Sequence, residues 1–131
     1  MKIAHISEEG IDRLVDCFYA KIRVDPDLGP IFERVVRGKW EPHLATMRNF
    51  WTSVMLTSGR YKGAPVPAHL RIKAIQPPMF DRWLRLFGET CDELFEDAVA
   101  EAFRVKAARI AESLKLALFF RPESIAPRTL S

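Results

Sequence analysis

"WEPHLATMRNFWTSVMLTSG", residues 40–59, decides how this chain folds. Trp40, His43, Leu44, Met47, Phe50, Trp51, Val54 and Met55 recur at steps of three and four, so a single side of one helix carries them all. Pro42 is tolerated because it falls in the first turn, where a missing N–H costs nothing. One member of the stripe is out of character. His43 lies among the apolar residues and not on the polar side, so it is either a hydrogen-bonded core residue or a group aimed at something.

The segments on either side have the same period. Ser7 is an N-cap with Glu8 and Glu9 in the first turn, where the helix dipole favours acids. Ile11, Leu14, Val15, Phe18, Tyr19 and Ile22 then form one face, and Asp25-Pro26 closes the helix. "DLGPIFERVV" (27–36) is short, with Leu28, Ile31, Phe32 and Val35 as its apolar face and Gly38 as its stop. Past the central stretch, "GRYKGAPV" is a loop, and "PAHLRIKAI" (67–75) is a helix of about two turns that Pro77-Pro78 ends. Phe80, Trp83, Leu84, Phe87, Cys91 and Leu94 mark another helix, with Gly88 a mild interruption. A final helix over roughly 97–120 carries Ala102, Phe103, Ala107, Ile110, Leu114, Ala117 and Leu118, and the tail 121–131 frays. No segment alternates with a period of two. The chain reads as all-α, one domain over 1–131 with its core at about 7–120.

The totals exclude several classes. A chain of 131 residues that is 48% hydrophobic builds one real core. The net charge of +3 comes from bases interleaved with acids, which makes a solvated surface and not a nucleic-acid face. No apolar run reaches membrane-span length, and "MKIAHISEEGIDRLV" has no signal-peptide core, so the expected compartment is the cytoplasm. Cys17 and Cys91 are far apart on helical faces and read as two buried small hydrophobes.

Of the three histidines, His5 precedes the first helix and reads as surface. His43 and His69 both fall on apolar faces, with no cysteine or acid at zinc-ligand spacing beside them. The faces that carry them are lined by Phe18, Tyr19, Phe32, Met47, Phe50, Trp51 and Trp83. A flat apolar cofactor needs such walls, and a haem iron needs one imidazole on one side and a shaped polar pocket on the other.

"FYAKIRVDPDLGPIF" (18–32), "WEPHLATMRNFWTSVMLTSGRYKGAP" (40–65), "HL" (69–70) and "RWLRLF" (82–87) together resemble the truncated haemoglobins of group III, over about residues 7–120. The combination is specific: Tyr directly after Phe in the first helix, an HLxxMxxFW helix, and a Trp fourteen residues after His69. The glycine pairs of group I are absent. The resemblance implies a two-over-two helical sandwich around a non-covalent b-type haem. His69 is then similar to the proximal iron ligand, presented by the short helix after the glycine-proline loop.

On the distal side the resemblance places Tyr19, His43, Met47 and Trp83, with Phe32, Phe50, Trp51 and Ile72 packing on the haem. Tyr O–H, Trp N–H and His N–H are all donors toward a bound diatomic ligand, whereas the Met47 thioether is wall. His43 has three open roles: bonding the ligand, swinging as a gate, or binding the iron. Arg60, Tyr61, Lys62 and Arg71 are the candidates for the propionates. The implied function is binding of O2, NO or CO. The alternative is an enzyme for NO dioxygenation or peroxide activation, which needs an external reductase because the chain has no flavin or nicotinamide motif.

Overall fold

The structure is a computed structural model that describes residues 1–63 and 75–119. The expected helix at 67–75, with His69, Arg71 and Ile72, and the tail lie outside the described residues. Five helices follow in order: α1 (Glu8–Val24), α2 (Leu28–Val36), α3 (Trp40–Leu56), α4 (Pro77–Leu94) and α5 (Asp97–Phe119). There is no strand among the described residues. A single parallel bridge joins Ile3 to Phe95.

The Ser7 hydroxyl accepts from the Gly10 N–H at 3.0 Å, capping α1. Its apolar stripe is fully buried from Ile11 to Ile22. Asp25 turns the chain and its carboxylate accepts from the Leu28 N–H at 2.9 Å, so the residue that ends α1 also starts α2. Leu28 and Val36 are the core side chains of α2, while Val35 is half exposed. The helix ends in two left-handed residues, Arg37 and Gly38.

Arg48 on α3 reaches Asp12 and Asp16 on α1, while Arg60 pairs with Glu8, so α1 and α3 run antiparallel. Arg104 pairs with Asp92 and the Phe119 ring meets Phe80, which makes α4 and α5 a second antiparallel pair. α1 also packs on α4. Two helix pairs stacked in this way make the expected two-over-two sandwich.

Three details differ from the sequence reading. Pro77 and Pro78 begin α4, occupying the first turn where no N–H is needed. Gly88 leaves α4 unbroken; a Cβ there would meet the Arg104 side chain at 3.4 Å, an ordinary contact. Cys91 is buried, and burial pushes its thiol up to about 12, but Cys17 is only half buried because it lies at the edge of the α1 stripe.

The core is aromatic. Phe87 is stacked between Trp51 (5.0 Å) and Trp83 (5.2 Å), and Phe18 meets its edge at 5.2 Å. Phe95 stacks on Phe103 beneath them, at 4.8 Å.

Candidate functional site

The α3 stripe is the anomaly in this packing. Only Trp40, Trp51 and Thr52 are buried on that helix, while His43, Leu44, Met47 and Phe50 are half covered. The reason is a cavity of about 340 Å³ that the stripe faces. The cavity meets Tyr19 on α1, then Leu28, Ile31, Phe32 and Val35 on α2. Met79, Phe80 and Trp83 on α4 and Ile110, Ala111 and Leu114 on α5 close the other side. Helical period placed Ile110 and Leu114 on one face of α5 but does not report that this face borders a cavity.

Polar side chains are few in this wall: Tyr19, His43 and Trp83, with Thr46 and Tyr61. The Tyr19 ring is edge-on to His43 at 5.1 Å and to Phe32 at 5.8 Å. Burial pushes the Tyr19 phenol well above the usual tyrosine range, and the neighbouring Trp83 side chain offsets this only in part. It therefore keeps its proton and remains a donor at any physiological pH.

Burial also holds the His43 imidazole below the usual histidine range, so it is neutral at pH 7. Its Nε2 is buried and has no hydrogen-bond partner, the one such side-chain atom among the described residues. Buried polar atoms are ordinarily paired, so one unmet imidazole nitrogen in a cavity wall is the exception among the described residues.

Trp40 backs the histidine from behind, its ring 5.8 Å from the imidazole. Its indole N–H donates to Glu33 at 2.9 Å, and the Arg23 guanidinium lies 4.7 Å above its ring. None of this was legible in the sequence, because Arg23, Glu33 and Trp40 belong to three different helices.

The loop after α3 is tied back to it. The Thr52 and Ser58 hydroxyls share a bond at 3.0 Å, and the Tyr61 N–H donates to the Ser53 hydroxyl at 2.9 Å. The Tyr61 ring is thereby set edge-on against Phe50 at 5.1 Å, in the cavity wall. Arg60 turns outward to Glu8, and Lys62 is exposed and outside the wall. Lys106 and Arg109, which the sequence reading passed over as polar-side residues of α5, border a second groove that shares Phe50, Ile110 and Leu114 with the cavity. His5 is exposed, as expected.

Of the expected site residues, Tyr19, Phe32, His43, Met47, Phe50, Trp51, Tyr61 and Trp83 thus converge on one cavity. The group 3 truncated haemoglobin Ctb of Campylobacter jejuni is 33% identical over 122 residues, covering 91% of this chain and 96% of the relative. The chain belongs to the group III truncated haemoglobins. The crystal structure of a group III truncated haemoglobin from Campylobacter jejuni superposes with a TM-score of 0.88 over 91% of this chain and 96% of the other. No family model matches the sequence. The half-covered α3 stripe is one wall of that cavity.

Proposed function

We propose that this protein holds a non-covalent b-type haem in the cavity and binds O2, NO or CO there. The observation that carries the reading is the group formed by Tyr19, Trp83 and the unmet Nε2 of His43 in the wall of a largely apolar slot. The residues fit the group. Flat walls from Phe32, Met47, Phe50 and Trp83 suit a macrocycle, and His69 is assigned as the proximal ligand from the family motif. Trp51 and Ile72 are assigned to haem packing, and Tyr61, with its ring in the wall, and Arg71 to the propionate edge; Arg60, paired with Glu8, and Lys62 do not line the cavity.

When bound, the haem supplies an iron with one open position for a diatomic ligand. The chain does the rest. Tyr19 donates a hydrogen bond from a phenol that burial keeps protonated, and Trp83 offers an indole N–H beside it. His43, neutral and unpartnered, presents one nitrogen that either donates or accepts. Met47 excludes water. Each donor contributes about 1 kcal/mol net, more in a dry pocket. Several donors over one ligand slow its release, which suits retention or turnover better than transport. The enzyme alternative, NO dioxygenation or peroxide activation, rests on the same His43 nitrogen and requires an external electron donor.

The test is haem reconstitution followed by ferrous absorption spectra with and without CO. A broad five-coordinate ferrous spectrum that sharpens on CO is expected, and His69→Ala should abolish it. A sharp six-coordinate ferrous spectrum lost in His43→Ala would assign His43 to the iron. Absence of any haem spectrum overturns the proposal.

A further inference from the structure

The pocket donors sit on different helices: Tyr19 on α1, His43 on α3 and Trp83 on α4. Something must fix the spacing between α1 and α4 for the Tyr19–Trp83 pair to persist. Ring packing alone is slippery, because stacked faces slide with little change in contact. Two polar junctions link the helices: Lys21–Glu93 at 2.9 Å is exposed, whereas the other is built on a buried carboxylate. Asp25, at the C-cap of α1, has a side chain only 4% exposed. Arg82, immediately before Trp83, donates from Nε to both carboxylate oxygens at 2.8 Å, with its Nη2 at 2.6 Å from Oδ1.

The same carboxylate serves a third element. Its Oδ2 accepts from the backbone N–H groups of Asp27 at 3.1 Å and Leu28 at 2.9 Å, at the start of α2. α1, α2 and α4 each contribute to the cavity wall, through Tyr19, Phe32 and Trp83 respectively. One buried carboxylate and one guanidinium therefore join three of the walls at a point outside the cavity. A planar fork on a carboxylate fixes angle as well as distance, which a lysine ammonium does not.

We propose that Asp25 and Arg82 are positioning residues of the distal pocket, holding α4 against α1 so that the Trp83 N–H and the Tyr19 hydroxyl face the same ligand. The inference rests on the haem reading for its function, but the clamp itself is testable without haem.

Arg82→Gln, Arg82→Lys and Asp25→Asn would be compared with the unsubstituted protein in two measurements. Near-ultraviolet circular dichroism of the haem-free protein reads the packing of Trp83 against Phe18 and Phe87. The C–O stretching band of the haem-loaded ferrous protein under CO reads the donors. Arg82→Gln should weaken the aromatic dichroism and split or shift the C–O band in the same direction as Tyr19→Phe. It should also raise the O2 dissociation rate at least threefold. Arg82→Lys, which keeps the charge and folds without losing it, should fall between.

A lowered urea midpoint in Arg82→Gln and Arg82→Lys, with dichroism and band unchanged, would make the pair merely structural and overturn the proposal. If the unsubstituted protein takes up no haem, the functional reading fails, and the dichroism alone decides the clamp.

Discussion

Phe87→Leu should be among the most damaging conservative substitutions in this protein. Phe87 is 1% exposed and makes three ring contacts: face to face with Trp51 at 5.0 Å and with Trp83 at 5.2 Å, and edge to face with Phe18 at 5.2 Å. Leucine preserves most of the buried apolar area but none of the ring geometry. Aromatic pairs contribute about 0.5–1.5 kcal/mol each beyond burial. The three share one ring and are not independent, so the loss should be about 2–3 kcal/mol, or a fall in Tm of about 6–12 °C. Phe119→Leu is the control, since Phe119 is half buried and makes a single ring contact, with Phe80 at 6.2 Å. It should cost less than about 1 kcal/mol. Urea unfolding followed by tryptophan emission measures both. If Phe87→Leu costs no more than Phe119→Leu, the aromatic stack is not what holds α1, α3 and α4 together.

Three further outcomes are expected. A Cβ at Gly29 would lie 2.8 Å from the Arg23 carbonyl oxygen, so Gly29→Ala should push the α1–α2 corner apart and cost about 2 kcal/mol in urea unfolding. Gly38 has φ 78° and open space around it, so Gly38→Ala should cost about 1 kcal/mol, from conformation alone. Because burial lowers the His43 pKa below its ordinary 6.5, the unfolded chain takes up a proton there more readily than the folded one. In the haem-free protein the stability linked to His43 should therefore be full above pH 6.5 and fall as the pH drops below it. His43→Gln should flatten that slope, and an unchanged slope would place its origin elsewhere.

The sequence carried the helices well, because their signals are local. Ser7 with Glu8 and Glu9 marked the start of α1, and the stripe from Ile11 to Ile22 is the buried face that the structure shows. What it hid was anything spanning helices. Asp25 read only as a terminator, since its partner Arg82 is 57 positions away. Trp40 read as one more stripe member, though it is held by Glu33 and Arg23. The proline pair at 77–78 is a stop or a start depending on which neighbour is helical, and propensity alone favours neither. The gathering of Tyr19, His43 and Trp83 was legible only through the family resemblance, because spacing does not report which faces meet.

The bridge between Ile3 and Phe95 bears on how the molecule is made. The Ile3 N–H donates to the Leu94 carbonyl at 2.8 Å and the Glu96 N–H to the Ile3 carbonyl at 2.9 Å, pinning a short extended segment into the corner between α4 and α5. That corner does not exist until most of the domain has been synthesised. During translation Ile3 must wait undocked while α1 to α4 emerge, and its arrival closes a loop through nearly the whole fold. Closure of so long a loop is entropically costly and belongs late in folding, after helices have formed nearby. The segment acts as a latch across the first four helices, and its engagement would report their assembly more faithfully than helix content does.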